Sequence, residues 1–303
     1  GVAVSILVKR ADLERGVWRF DVWGKRLEKY QMAAEADIRA IPWQKTNPNS
    51  PFYFFVSQNA EIRSEFEAER SLPTIFRQGG SGMMTSRDNL TIKFTPDDIW
   101  KTVKRFVELN EAEARAEFKL GKDARDWNVS KAQNDLKASG PTRVAISEVT
   151  YRPFDTRFTY YTGRARGFIG WPVEHIWRNM LHPNIALAVS RMTKGEDFGH
   201  ALVSNHMVEK ISLSSKTSNN AFVFSLRIDA GLENYSAEFR EFLDARYDHH
   251  YSAEEVLGFL YAILYAPSYR TRYAEFLRID FPRIPFPKKA ADFEALSELG
   301  WEL

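Results

Sequence analysis

The chain has 303 residues, of which 44% are hydrophobic and 27% charged, and its formal net charge is +2. This balance is typical of a globular protein with room for two domains. The absence of cysteine excludes disulfide scaffolds and thiolate zinc sites, and no apolar run approaches the roughly 20 residues of a membrane helix. Without a signal-peptide pattern at its start, we expect a cytoplasmic protein with no membrane partner.

The first part of the chain alternates predicted strands with one helix. Residues 2–8 form a short apolar run rich in Val and Ile, which predicts a buried strand. Weak alternation predicts a strand over 17–22, composition predicts a helix over 25–36, and further strands are expected at 38–43 and 52–56. This mixture is typical of the tail of an α/β sheet. Because chains seldom begin inside a buried strand, we expect the natural neighbour of this segment to lie upstream.

A glycine-rich segment at 79–89 predicts a domain boundary. Thr95 suits a helix N-cap and Pro96 the first helical position, so a helix is predicted from there to about Glu108. A second charged helix is expected around 111–120. From 144 the pattern changes to short apolar runs between turn residues, with one helix predicted over 172–180; the predicted strands are 144–146, 158–161, 185–189, 201–203 and 221–224.

The last third of the chain is predicted to be helical from about Tyr235. Ser252 and Glu255 form a capping-box pattern, and the apolar residues that follow lie on one helix face. Pro267 ends that helix, and another is expected over 268–278. The tail 281–287 must be extended, since its three prolines forbid a helix.

Charge is distributed unevenly. Residues 143–227 hold 11 Lys and Arg against 6 Asp and Glu, whereas the remainder has a small acidic excess. A basic middle between acidic flanks is the distribution expected of a surface that faces phosphates.

The most informative segment is 151–166, where four arginines alternate with five aromatic residues. Arginine offers a planar fork to phosphate or to the guanine edge, and aromatic rings can stack on bases. For Arg152 and Arg157 the alternative is a structural ion pair with Asp155 that locks a turn. Arg164 and Arg166 stand beside small residues in a predicted loop, which makes them stronger candidates for phosphate contacts.

A second polar segment at 210–220 combines lysine with short hydroxyl and amide side chains, which can bind base edges and phosphates. Its DNA-binding candidates are Lys210, Ser214, Lys216 and Asn219. The alternative is an ordinary solvated loop.

Three patterns resemble catalytic motifs only superficially. Pro96-Asp97 with Glu117-Phe118-Lys119 resembles a metal-dependent nuclease pattern, but both pieces fall in charged helical stretches rather than on a strand. Residues 47–52 resemble the Asn-Pro-Pro-aromatic turn of amino-methyltransferases with two residues inserted between the prolines. Gly79 to Gly82 does not open a helix after a strand, as a cofactor loop requires. We therefore predict no catalytic, cofactor-binding or metal-binding residue in this chain.

Ordered short blocks resemble the C-terminal part of Type ISP restriction–modification enzymes. Residues 1–8 resemble a late strand of an amino-methyltransferase domain, and 82–88 (GMMTSRD) resembles the junction between that domain and the recognition domain. Residues 151–157 (YRPFDTR) are similar to a conserved block of the family, and 261–270 and 281–285 are similar to its C-terminal blocks. Together these blocks span nearly the whole chain.

The resemblance implies an α/β and α+β fold. A remnant of a Rossmann-like methyltransferase sheet would occupy 1–78, and a mixed α+β target-recognition domain, helical from about 235, would occupy 79–303. It also implies sequence-specific binding of double-stranded DNA for an enzyme that methylates adenine amino groups with S-adenosylmethionine. Upstream methyltransferase, helicase and nuclease domains, with ATP and Mg, would belong to the full-length enzyme. The junction adds Thr85, Arg87 and Asp88 to the DNA-binding candidates.

Two other functions stay open at this point. The chain is a self-sufficient nuclease or methyltransferase if one of the superficial motifs is real. It is a coupling domain that contacts only neighbouring protein if an apolar, uncharged face lies where Arg164, Arg166 and Lys216 are expected. Because the catalytic motifs are missing, we expect the chain alone to be inactive.

Overall fold

The computed structural model describes residues 4–12, 14–48, 50, 53–56, 58–216 and 219–303. The chain separates into two compact units, residues 1–60 and residues 61–303.

The described part of the first unit contains an antiparallel pair of strands and a helix: β1 (Val17–Arg19), α1 (Arg26–Glu35) and β2 (Gln44–Thr46). The helix agrees with its prediction and the first strand agrees in part. The strand predicted over 2–8 is wrong for residues 4–8, whose apolar side chains are exposed and form no ladder. An apolar run becomes a strand only where a partner strand and a covering layer exist.

Two further strands were predicted incorrectly in this unit. Residues 38–43 form turns and irregular backbone, and the strand begins only at Gln44; residues 53–56 are also irregular. Residues 2, 3 and 52 lie outside the described residues. The expected remnant of a Rossmann-like sheet is therefore absent from the described part of this unit, whose β1 and β2 pair antiparallel.

The second unit mixes helices and short strands. Its first half contains α2 (Ala60–Ala68), β3 (Arg70–Ser71), α3 (Leu72–Ile75), β4 (Gly80–Ser81), α4 (Asp88–Thr91), α5 (Pro96–Glu108), α6 (Glu111–Glu117), α7 (Val129–Ser139), β5 (Ile146–Arg152) and β6 (Asp155–Tyr160). Its second half contains α8 (Glu174–Trp177), β7 (Ala186–Ser190), β8 (Ala201–Ser204), β9 (Met207–Val208), β10 (Ala221–Ser225), β11 (Arg227–Ile228), β12 (Leu232–Glu233), α9 (Ala237–Tyr247), α10 (Ala253–Tyr265), α11 (Pro267–Arg272), α12 (Ala274–Leu277), β13 (Arg283–Ile284) and α13 (Ala290–Glu302). The mixed α+β architecture agrees with the prediction.

A four-stranded antiparallel sheet, in the order β4-β10-β7-β8, lies between two hydrophobic cores. All five residues of β7 are buried, and they alternate between the cores. Leu187 and Val189 pack with the C-terminal helices, while Ala186 and Ala188 pack with α5, α7 and the β5–β6 hairpin. Because side chains of a strand alternate between faces, this one strand joins the helical C-terminal part to the part that carries the predicted DNA-binding residues.

The β5–β6 hairpin belongs to a second sheet, in which β9 pairs parallel with β5. Arg152 pairs with Asp155, so the connection consists of Pro153 and Phe154 alone. Phe154 adopts a φ of 61°. Proline followed by a residue with positive φ is the pattern of a type II turn, in which Gly or Asn normally takes the second place.

The helix predictions after residue 95 are largely confirmed, because their capping residues bond as expected. The Thr95 hydroxyl accepts the backbone N–H of Asp98 at the start of α5. Ser252 and Glu255 form the predicted capping box of α10, and Pro267 opens the next helix. In the tail, β13 is extended and pairs with β3.

Candidate nucleic-acid interface

The arginine loop, residues 162–170, connects β6 to the segment that leads into α8. Arg164 and Arg166 are exposed there, and neither guanidinium makes a hydrogen bond or an ion pair with any described residue. The charge of Arg166 acts on Asp126, whose pKa is lowered mainly by its hydrogen bond with Arg125 and further by Arg166. Both loop arginines thus present unneutralised donors to solvent.

The loop is nevertheless fixed, because a buried carboxylate holds its inner side. Asp135, on α7, accepts the Thr162 hydroxyl at 2.7 Å and the backbone N–H of Phe168 at 2.8 Å through the same oxygen. The Trp127 indole N–H donates to the Phe168 carbonyl at 3.0 Å. A Cβ atom at Gly167 would overlap the Asp135 carboxylate, so only glycine permits this approach.

The far end of the loop is bonded to residues 84 and 85. Trp171 and Met84 exchange two backbone hydrogen bonds of 2.9 Å, and the Gly170 N–H donates to the Thr85 carbonyl at 3.4 Å. Residues 84 and 85 therefore join the arginine loop to the rest of the predicted site.

Thr85, Arg87 and Asp88 form a hydrogen-bonded framework, in which Thr85 is buried and Arg87 and Asp88 are half-buried. Thr85 is buried, and its hydroxyl bonds to Asp88, whose other oxygen accepts the Tyr151 hydroxyl at 2.7 Å. The Arg87 guanidinium donates to the carbonyls of Ser86 at 2.8 Å and of Lys122 at 2.9 Å. These bonds use the polar groups that the sequence had suggested for DNA.

The two hairpin arginines both stack on one aromatic ring. The guanidinium carbons of Arg152 and Arg157 lie 3.9 and 4.2 Å from the centroid of Tyr151, within the range of cation–π attraction. Arg157 also binds Asp155 in a bidentate pair, with N–O distances of 3.0 and 2.8 Å. The ion pair with Asp155 that was weighed as the structural alternative is therefore present for Arg157, whereas Arg152 pairs with a different acid.

Arg152 pairs with a buried carboxylate that the sequence did not indicate. Its guanidinium lies 3.0 Å from Glu209, which is only 4% exposed and also accepts the backbone N–H of Ile211 at 2.9 Å. Burial raises the pKa of Glu209 to about 7, and the charge of Arg152 only partly opposes this. The next residue, Lys210, bonds through its backbone to Met83 and Ala221.

Ser214, Lys216 and Asn219 gather around a single carboxylate, and we call this network the Glu196 clasp. Glu196 accepts the Ser214 hydroxyl at 2.6 Å, the Lys216 ammonium at 3.1 Å and the Asn219 amide. Hydrogen bonds from Ser214 and Lys216, in that order, lower the pKa of Glu196 to about 2. The clasp ties two loops together with the same side chains that the sequence had suggested for DNA.

The superficial nuclease motif is not assembled. Asp97 pairs with Arg143 at 2.8 Å, and Glu117, on a helix, pairs with Arg105 at 2.9 Å. Across the described residues no group of three or more acidic or histidine side chains is placed to hold a metal. Of the methyltransferase-like turn at 47–52, residues 49, 51 and 52 lie outside the described residues. Among the helices of the described chain, none is long and apolar enough to cross a membrane.

Several residues that build this site escaped the sequence analysis. Asp135, Glu196 and Glu209 are acids beneath or beside a surface predicted to bind an anion, so their charge gave no reason to expect them there. Only their partners, distant in the chain, reveal what they do.

Comparison with solved structures gives the fold class first. The chain is similar to a cryo-EM structure of a DrdV–DNA complex, with a TM-score of 0.70, 19% identity, and coverage of 95% of this chain and 30% of that one. It is also similar to the Type ISP restriction–modification enzyme LlaBIII bound to DNA, with a TM-score of 0.64, 17% identity, and coverage of 91% and 19%. For a nuclease-deletion mutant of LlaGI with a DNA substrate mimic the TM-score is 0.59, the identity 18%, and the coverage 91% and 26%.

These likenesses define the fold class: the fold is shared with a segment of each of these three proteins, two of which are Type ISP restriction–modification enzymes, and the chain spans less than a third of each. No curated protein sequence matches it. Residues 74–303 match the family model of the Type ISP C-terminal specificity domain, and the chain belongs to that family.

Proposed function

We propose that this chain binds double-stranded DNA and provides target recognition for a restriction–modification enzyme. Family membership supports the role, and the arginine loop is the observation that carries it. Two exposed arginines without partners among the described residues stand on a loop that a buried carboxylate and an obligatory glycine hold in place. Guanidinium groups carried on a fixed loop backbone suit bidentate binding of phosphate oxygens.

In the full-length enzyme, we infer, upstream methyltransferase, helicase and nuclease domains act where this chain directs them. S-adenosylmethionine, ATP and Mg would serve those domains, and adenine amino groups would be the methylated target. Such an enzyme meets DNA in the cytoplasm. These proposals rest on the family alone.

The DNA-binding candidates fall into groups according to the bonds that their side chains make within the chain. Arg164 and Arg166 are proposed to grip phosphates. Thr85, Arg87 and Asp88 are proposed to support the surface from inside, since their polar groups already have protein partners. Arg152, Arg157, Ser214, Lys216 and Asn219 are proposed to shape the adjoining hairpin and loops. Among the described residues Lys210 is bonded through its backbone alone, so its ammonium is proposed as a further phosphate contact.

The test is a salt titration of binding to a duplex of mixed sequence, comparing the wild-type chain with R164A/R166A. The slope of log K against log salt changes by about 0.9 for each phosphate contact. Two lost contacts should make the slope shallower by about 1.8 and weaken binding roughly 60-fold near 0.1 M salt.

The control is K288A/K289A, which removes the same formal charge from two exposed residues outside the basic middle. It should leave the slope nearly unchanged. Equal effects of the two double variants would show that net charge alone matters. Absence of salt-dependent binding by the wild-type chain would overturn the proposal and favour a domain that contacts only protein.

A further inference from the structure

The tip of the β5–β6 hairpin exposes an aromatic ring completely. Phe154 is 100% exposed, and its φ of 61° is a conformation that aromatic residues rarely adopt. Both features disfavour Phe at this position in the isolated chain. Gly or Asn adopts the backbone conformation of the turn more easily, and neither would expose an apolar ring to water.

Ion pairs on both sides of the turn hold the backbone that carries the ring. On one side of the tip Arg152 pairs with buried Glu209, and on the other Arg157 pairs with Asp155. Both guanidinium groups contact the Tyr151 ring, whose hydroxyl is bonded to Asp88. A rigid mounting lowers the entropic cost of inserting the ring into a partner.

The chemistry of the tip favours a base over a phosphate. Because both neighbouring arginines already donate to acidic side chains, the tip offers an apolar ring rather than free hydrogen-bond donors. The unpaired arginines lie beyond the other end of β6, whose six residues span roughly 20 Å at about 3.3 Å per residue. That separation corresponds to about six base-pair steps along a duplex, at about 3.4 Å each.

We propose that Phe154 is a wedge residue, whose ring stacks on a nucleobase that binding separates from its neighbour. The inference rests on the proposed DNA binding and deepens it, since the arginine loop would grip phosphates while the hairpin tip probes the base stack. Apolar side chains inserted at a base step are a known way of distorting DNA, and stacking of a base on an aromatic ring tolerates any sequence.

The experiment compares two duplexes of about 30 base pairs and the same mixed sequence, one fully paired and one with a single central abasic site. A wedge should prefer the abasic duplex, where unstacking costs least. The wild-type 303-residue chain should bind it about tenfold more tightly, which lies within the range of stacking on one base. F154A and F154N should bind both duplexes equally and keep the wild-type salt slope.

Two comparisons separate a wedge from a folding effect. F154N should melt about 1–3 °C above the wild type, because Asn adopts positive φ more easily than Phe, and should still lose the preference. V144A shortens another exposed apolar side chain, near the opposite end of β5, and should keep it. The proposal is overturned if the wild type binds both duplexes equally, or if F154A and F154N keep the preference. Failure of all salt-dependent binding would instead remove the proposed function, and this inference with it.

Discussion

The arginine loop and the Glu196 clasp look alike as sequences and differ as structures. Each is a polar segment with cationic side chains in the basic middle of the chain. In the clasp, the Lys216 ammonium is neutralised by Glu196, whose oxygens also bind Ser214 and Asn219. In the arginine loop the carboxylate, Asp135, binds a hydroxyl and a backbone N–H and leaves both arginines unpaired.

The difference shows that the position of an acid decides what a neighbouring cation can do. An acid that lies among the cations forms ion pairs with them. An acid that is buried beneath them bonds to the backbone instead, so the cations stay available to bind a ligand. The hairpin belongs with the clasp, since Glu209 and Asp155 take up Arg152 and Arg157.

The largest effect expected among the ion pairs concerns Glu209, the partner of Arg152. Its pKa is raised from 4.5 to about 7, so between these pH values the unfolded chain releases a proton that the folded chain keeps. The stabilisation is full below about pH 4.5 and is lost as pH rises to 7, by about 3 kcal/mol at ~1.4 kcal/mol per pH unit. Urea unfolding of the wild type and of E209Q from pH 4.5 to 8 tests this.

The E209Q chain should lack that decline, because glutamine does not titrate. Parallel pH profiles for the two proteins would mean that Arg152 keeps Glu209 ionised throughout, and that the carboxylate belongs to an ordinary ion pair.

Much of the fold follows from local signals, and the failures have physical causes. The helices α5 and α10 were predictable because Thr95 and Ser252 place a capping oxygen before an amphipathic run. Residues 4–8 have the composition of a buried strand, yet without a pairing partner in the described part of their unit they stay exposed. The hairpin was missed because Pro153-Phe154 is not one of the common turn pairs.

The candidate site was predictable in its residue types and less so in their uses. The exposed Arg164 and Arg166 were singled out correctly as loop residues, since small neighbours indicated a loop. That Lys216 bonds to Glu196 depends on a contact across 20 positions of chain. Such pairings arise from tertiary folding, which no local pattern encodes.

The second prediction concerns the support of the arginine loop. D135A leaves the Thr162 hydroxyl and the Phe168 N–H without their acceptor, which should lower the free energy of unfolding by about 1–3 kcal/mol. DNA binding should weaken although an acidic group has been removed, because the loop backbone that carries the arginines is no longer held. Urea unfolding and the salt titration measure the two effects.

D126A provides the matched control, since it removes the same charge close to the same loop while leaving the anchor intact. It should bind DNA at least as tightly as the wild type. If D135A also bound more tightly, charge rather than positioning would govern the loop.

A smaller effect is expected in the clasp. E196Q keeps the size of the side chain and weakens its bonds to Ser214 and Lys216, so the two loops should open more often. Hydrogen exchange at the Lys194 and Lys216 amides, which are bonded within the clasp, should become about tenfold faster. In the wild type the effect of Glu196 should be present above about pH 4.5 and be lost as pH falls towards 2, because its pKa is lowered.

D197N, which changes the adjacent exposed acid, should leave both amides protected. Protection unchanged in E196Q would show that the hydrogen bonds around Glu196 do not hold the loops, and the contrast with the arginine loop would lose its basis.

The smallest effect is the most discriminating. The Lys216 ammonium is already within 3.1 Å of Glu196 and donates to the Gly195 carbonyl at 2.6 Å, so K216A should change the salt slope of DNA binding by less than about 0.3. R164A or R166A alone should each change it by about 0.9. A slope change near 0.9 in K216A would mean that DNA draws Lys216 away from Glu196. Lys216 would then exchange Glu196 for a phosphate on binding, and the ion pairs of the unbound chain would not predict which cations contact DNA.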